Sequence, residues 1–189
     1  MRDEIPEGYV RVTDVLKPFT PFATLDPNSS YGRNVIAAAD RGTRVHKLCE
    51  AYAQDLFVED CDEDCKNYFD SFKAWFDEMV VQVISTEQRL NSPHYRLSGC
   101  VDLVCVLKGD REATLVDIKT PKESSNSWTL QTAAYRILLR EVGGLEVDRR
   151  TCLMLPRYGI EIKVIDYEEH EEHERLFLNL LEAYRFFER

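Results

Sequence analysis

The sequence predicts an α/β fold in which a mixed β-sheet is flanked by helices on both faces. Three observations predict it: amphipathic helical stripes towards both ends of the chain, a block of strand-like residues between them, and a central strand over 95–107 that is apolar on both alternating faces. A strand of that last kind needs cover on each side. With 189 residues and 44% hydrophobic content the chain can bury one substantial core, so a single domain over 1–189 is expected.

Each element has its own signal. Residues 1–32, through Pro18, Pro21 and Pro27, read as an irregular lead-in, with Thr13 placed to cap a short helix over 14–17. Residues 33–140 form the motif-bearing core. Its first helix, over 34–57, gathers Val35, Ala39, Gly42, Cys49 and Ala53 near one stripe, and His46 lies on that stripe, facing inward. A second helix, over 64–79, stacks Tyr68, Phe72, Trp75 and Phe76. Strands over 81–90, 95–107 and 113–120 form a meander, the last two joined by the turn Lys108-Gly109-Asp110-Arg111. The helix over 127–142 places Trp128, Gln131, Tyr135 and Leu138 on one face and stops at Gly143-Gly144. Residues 150–189 supply strands over 151–155 and 160–165 around a turn at 156–159. A last amphipathic helix carries Phe177, Leu180, Leu181, Tyr184 and Phe187.

Charge and cysteine usage narrow the function. The net charge of −10 opposes a polyanionic partner, but it is concentrated. Glu59, Asp60, Asp62, Glu63 and Asp64 form one acidic run and Glu168, Glu169, Glu171, Glu172 and Glu174 another, so the remainder is neutral and has room for a basic groove. No run of eighteen apolar residues exists, and the first twenty residues lack the apolar stretch of a signal peptide, so a cytoplasmic protein without membrane contact is expected. Cys49, Cys61, Cys65, Cys100, Cys105 and Cys152 are scattered, several within apolar segments, as reduced core cysteines are. Cys61 and Cys65 have no second pair of similar spacing, which argues against a zinc or iron–sulfur centre.

Asp117-Ile118-Lys119 is the centre of the chemical argument. Alternation along a strand brings its carboxylate and ammonium out on one face. Alone, such a tripeptide reads more readily as an exposed ion pair. Asp102, however, interrupts the apolar run of the neighbouring strand, and the short turn brings it near Asp117. Two converging carboxylates repel unless a cation neutralises them, and oxygen donors select a hard divalent ion. Glu87, on the first strand of the meander, would add a third oxygen; a solvent-facing edge glutamate is the alternative. His46 fits a satisfied core histidine or a ligand, and the small residues around it, Gly42 and Cys49, let its helix lie close to the sheet. Gln131 and Tyr135, four residues apart, project together; an amide and a phenol hold a phosphate oxygen or orient a lysine without adding charge.

These residues form an ordered set: Gly42-Thr43-Arg44-Val45-His46, Glu87, Gly99-Cys100-Val101-Asp102, Val116-Asp117-Ile118-Lys119-Thr120 and Gln131-Thr132-Ala133-Ala134-Tyr135. The set resembles the motifs of RecB-like exonucleases in the PD-(D/E)XK nuclease superfamily, across about residues 9–140. Compact phage-type and mitochondrial genome-maintenance exonucleases are similar in size. The resemblance implies a restriction-endonuclease-like core, Mg2+ or Mn2+ dependence and DNA as substrate. It implies a metal site of His46, Glu87, Asp102, Asp117 and the Ile118 carbonyl, with Asp102, Asp117, Lys119, Gln131 and Tyr135 as catalytic residues. Glu50, one turn after His46, matches a glutamate often seen in that helix. The four-cysteine cluster of the related CRISPR adaptation nucleases has no counterpart here.

Arg41, Arg44, Arg89, Arg96 and Lys122 are the expected DNA contacts, with Trp128 or Tyr95 stacking on bases. Surface ion pairs with the acidic runs are the alternative for the cations. The low pI suggests a homo-oligomer or a recombination partner protein that supplies processivity. An endonuclease of the same fold and a catalytically silent DNA-binding or assembly subunit are the rival readings. Asp117→Ala is expected to leave the fold intact, because it removes carboxylate repulsion.

Overall fold

The computed structural model describes residues 5–20, 26–58, 61–159 and 161–188. The expectations for Pro21, Glu59, Asp60 and Ile160 concern residues outside that set.

The lead-in is more ordered than its prolines suggest. It contains strand β1 (Val10–Arg11), helix α1 (Val12–Leu16) and a 3-10 turn at Lys17–Phe19. The cap position of α1 is Arg11, not Thr13, and no side chain caps it. Burial decides the matter: Val12, Val15 and Leu16 are all sunk in the core, so packing and not a local cap holds this turn of helix. Helix α2 (Ser30–Ala53) also begins earlier than its apolar stripe. Ser29 accepts a hydrogen bond from the Gly32 amide at 2.9 Å, the standard satisfaction of an orphan donor at a helix start.

Helix α3 (Glu63–Met79) carries Glu63 and Asp64 in its first turn, where carboxylates suit the helix dipole. The meander follows as β2 (Val80–Ser92), β3 (Leu97–Leu107) and β4 (Thr114–Lys119). Helix α4 (Ser127–Glu141) ends where Gly144 takes φ +62°, a left-handed conformation that glycine adopts at little cost. Strands β5 (Arg149–Met154) and β6 (Lys163–Tyr167) and helix α5 (His170–Phe187) complete the order. The β6 strand starts later than the apolar pattern indicated, at Lys163.

The sheet is mixed. β2, β3 and β4 pair antiparallel, β4 and β5 pair parallel across the α4 crossover, and β6 returns antiparallel to β5. β3 changes partner along one edge. Its Leu103–Cys105 stretch pairs with β4, whereas Leu97 and Ser98 pair in parallel with β1. Between these two pairings the edge of β3 opens, and Asp102 sits at that opening.

Two apolar layers clamp the sheet. On one face α1, α4 and α5 pack Val15, Ala134, Leu138, Phe177 and Leu181 over Leu97, Val101, Val104 and Leu115. On the other, α2 and α3 pack Val45, Cys49, Tyr68, Phe69 and Phe72 over Leu103, Cys105, Val116, Ile118 and Leu153. The two-sided apolar character of β3 therefore corresponds to cover on both sides. Cys49, Cys65, Cys105 and Cys152 are buried free thiols. Among the described residues, no helix is long and apolar enough to cross a membrane.

Candidate active site

The opening in the β3 edge is chemically defined. In a regular ladder the Ile118 amide would bond to a backbone carbonyl, but here it donates to Asp102 Oδ2 at 2.7 Å. The other oxygen of Asp102 lies 3.4 Å from Nδ1 of His46, which descends from α2. Glu87 stands opposite Asp102, because its neighbours Thr86 and Gln88 register with Leu103 and Val101. Ligand atoms of His46, Glu87 and Asp102 all lie within 4.8 Å of one another.

Local backbone serves this convergence. β2 has two register shifts before Glu87, and Glu87 itself adopts φ +42° inside the strand. A non-glycine residue in that region is strained, and such strain collects where function demands an orientation. Gly42 lets α2 approach β4: a Cβ there would lie 3.1 Å from Thr120 Oγ1. Gly99 does the same for α4, since a Cβ would meet Leu138 Cδ1 at 2.7 Å and the Tyr135 ring at 2.9 Å.

Asp117 and Lys119 share the α4 side with Leu115, as alternation requires. Lys119 Nζ is 2.6 Å from Asp117 Oδ2 and donates to Gln131 Oε1 at 3.0 Å. Gln131 in turn donates to Asp117 Oδ1 at 3.3 Å and to the Tyr135 hydroxyl at 3.0 Å. Gln131 thus fixes the lysine head, and Tyr135, buried at 5% exposure, fixes Gln131. Asp117 is not part of the three-residue convergence; its oxygens face Lys119, Gln131 and the Cys152 thiol. The Ile118 side chain is in the core, but its N–H points at Asp102, and the carbonyl of a strand residue lies on the same edge as its N–H.

Electrostatics follow from burial and pairing. Burial works against a charged His46, yet the adjacent Asp102 carboxylate outweighs it and holds the imidazole up at about 9. Burial alone would raise Asp102; His46, Lys119 and the Ile118 amide reverse this and hold it below the usual carboxylate range. Burial and then Asp102 push Glu87 up. Burial also pushes Asp117 up, partly offset by Lys119. Clustered acids of this kind favour a bound cation. Two carboxylates, an imidazole and a backbone carbonyl edge are a donor set that fits a divalent ion.

A family model for the PD-(D/E)XK nuclease superfamily matches residues 68–185. The chain belongs to the PD-(D/E)XK nuclease superfamily. The matched span contains Glu87, Asp102, Asp117, Lys119, Gln131 and Tyr135, and the six-stranded mixed sheet and five helices of the described residues accord with a restriction-endonuclease-like fold. Solved structures are similar too. A putative exonuclease from Eubacterium rectale aligns with 9% identity and a TM-score of 0.51, over 93% of this chain and 77% of that one. The alkaline exonuclease LHK-Exo of Laribacter hongkongensis aligns with 12% identity and a TM-score of 0.43, over 95% and 91%. No curated protein matches the chain in sequence.

Around these residues lies an open cleft of about 1740 Å³. His46, Glu50, Glu87, Asp102, Lys119 and Gln131 line it, as do Arg41, Arg89 and Lys122. Four expected DNA contacts need correction. Arg44 turns away to Asp40 at 3.2 Å, Asp64 at 2.9 Å and Asp62, so its charge is matched by the protein's own acids. Arg96 lies in the turn before β3 and is not among the residues lining the cleft. Trp128 is 7% exposed and sits beneath Lys119, whose ammonium is 5.5 Å from its ring, so it presents no face to a base. Tyr95 likewise packs against the α1–α4–α5 core. The cleft adds cations that the motifs did not mark: Lys47, Arg157 and Lys163. Lys47 follows His46 directly in the sequence. Arg157, in the turn after β5, and Lys163, at the start of β6, are placed by the pairing of β5 with β4 and β6, which no local pattern reveals.

Proposed function

We propose that the chain is one nuclease domain that hydrolyses DNA phosphodiester bonds, as a metal-dependent exonuclease. The observation that carries this reading is the convergence of His46, Glu87 and Asp102 ligand atoms within 4.8 Å, beside an ammonium fixed by Gln131. His46, Glu87, Asp102 and the Ile118 carbonyl would hold Mg2+ or Mn2+, and Asp117 would join them by exchanging its contact with Lys119. A divalent ion bound there supplies Lewis acidity towards the phosphodiester and lowers the pKa of water.

The protein's own groups do the rest. Lys119 faces the cleft with its head held by Gln131, so it neutralises charge that develops on the phosphoryl oxygens without having to reorganise. Tyr135 keeps Gln131 in place from below. The cleft lining holds seven lysines and arginines against four carboxylates, which supports a polyanionic substrate despite the net charge of −10. DNA is the substrate implied by the family, and an end-directed mode accords with the family resemblance of the motifs.

The test is incubation of circular and linear, single- and double-stranded DNA with the protein and Mg2+ or Mn2+, alongside Asp102→Asn. Metal-dependent loss of linear DNA by the unaltered protein and not by the variant is expected. Cutting of closed circles would make it an endonuclease. Inert DNA under every condition would favour a silent binding or assembly subunit.

A further inference from the structure

The turn between β5 and β6 enters the same cleft and has no part in the chemistry described above. Leu153 and Met154 register with Ile118 and Lys119, and Leu155 donates its amide to the Lys119 carbonyl at 2.8 Å. Tyr158 is therefore four residues past the register partner of Lys119, at most about 13 Å along an extended chain. That distance is no more than about four stacked base steps of roughly 3.4 Å.

Tyr158 is 78% exposed and lines the cleft. An exposed ring on a turn is commonplace, but this turn is held. A single amide, Asn67 Nδ2 of α3, donates to the Pro156 carbonyl at 2.9 Å and to the Gly159 carbonyl at 2.8 Å, tying both ends of the turn to the body of the protein. Gly159 takes φ +80°, which lets the chain reverse there without strain. The Arg157 guanidinium carbon lies 5.3 Å from the Tyr158 ring centre, and Arg157 and Lys163 both line the cleft. An anchored ring beside cations is the combination that binds single-stranded nucleic acid: the ring offers a face to any base and the cations follow the phosphates. Because Asn67 orders the turn before binding, little conformational freedom is lost on contact.

We infer that Tyr158 is a stacking platform for an unpaired base, so that the cleft takes DNA as a single strand or a frayed end in preference to a blunt duplex. In an intact duplex each base already stacks on its neighbours, and one lone ring finds no free face except at the end. The inference rests on the nuclease reading for its substrate, DNA, but not on cleavage.

The experiment measures binding of fluorescent single-stranded and blunt duplex oligonucleotides in EDTA, for the unaltered protein, Tyr158→Phe and Tyr158→Ala. Cleavage of both substrates with Mn2+ is followed in parallel. Tyr158→Ala should weaken single-strand binding about tenfold, while Tyr158→Phe, which keeps the ring, stays within about twofold. Blunt-duplex binding should change by no more than about twofold in either variant, since only the terminal pair offers a face. Asn67→Ala, which frees the turn but leaves the ring, should give an intermediate loss on the single strand. Equal losses on both substrates, or no loss in Tyr158→Ala, would overturn the platform. A protein that shows the tenfold selective loss yet cleaves nothing keeps the platform and removes the nuclease reading; one that cleaves, with Tyr158→Ala indistinguishable on both substrates, does the reverse.

Discussion

Lys119 and Arg150 are both cations inside the protein, yet one opens on the cleft and the other is sealed. Lys119 is matched by a full carboxylate, Asp117, and keeps 13% of its side chain exposed. Arg150 is fully buried and is satisfied by His170 Nδ1 at 2.9 Å, His173 Nδ1 at 3.0 Å, the Thr129 carbonyl at 3.0 Å and the Thr132 hydroxyl at 3.2 Å. Burial among such neutral acceptors lowers its pKa to about 10. The difference teaches that charge at the cleft is poised to meet another charge, whereas charge at the start of α5 is tied off as structure.

The largest expected effect tests the first half of that contrast. Lys119→Met should slow single-turnover cleavage by about a hundredfold to a thousandfold. Arg150→Met should do the opposite. It leaves two imidazole nitrogens and a carbonyl without their donor, so a loss of about 3 kcal/mol in urea unfolding is expected, with turnover per folded molecule unchanged. A fall in turnover matching that of Lys119→Met would erase the distinction.

The two regions also separate in pH. His170 donates from Nε2 to the Asp148 carbonyl while Nδ1 accepts from Arg150, an arrangement that requires the neutral ring. Burial holds its pKa below 6.5. The unfolded chain then takes the proton first, so stability is complete above pH 6.5 and falls as pH drops through the folded value. Glu174 extends the trend. Although burial opposes it, Arg140 at 2.7 Å and Arg136 at 2.5 Å hold its pKa below 4.5, so its contribution is lost in more acid solution. Thermal melts from pH 7 down to pH 4 should show a decline that begins near pH 6, and His170→Asn should flatten its first part. The smallest effect belongs to Arg44→Ala: solvent screens this exposed ion-pair cluster, so neither the melting temperature nor DNA binding should change measurably.

The fold was legible where periodicity and burial coincide. The meander, the helix carrying Gln131 and Tyr135, and the inward His46 each have a repeat of the right period. β1 and α1 escaped because a two-residue strand and one turn of helix have no period to read; tertiary burial of Val12, Val15 and Leu16 defines them. The convergence of His46, Glu87 and Asp102 was anticipated by motif order. The contact of Asp117 with Lys119 was foreseen as a shared face, with an exposed ion pair as the alternative; the structure makes it a buried pair at 2.6 Å. That pair alters one expectation. Asp117→Ala would leave a buried ammonium without its counter-charge, which destabilises the fold, so Asp117→Asn is the milder variant. Trp128 and Arg44 were misplaced because composition does not tell which aromatic is covered or which cation already has acidic neighbours.

The left-handed backbone at Glu87 sets thermostability against the proposed catalysis at a single codon. A glycine would relax that φ at once, since the disfavoured conformation costs an L-residue on the order of 1 kcal/mol, yet it would delete a carboxylate from the proposed cation site. Glu87→Gly should therefore melt no lower than the parent in a thermal scan and should lose metal-dependent cleavage; a library sorted for heat resistance alone would enrich for this inactive substitution.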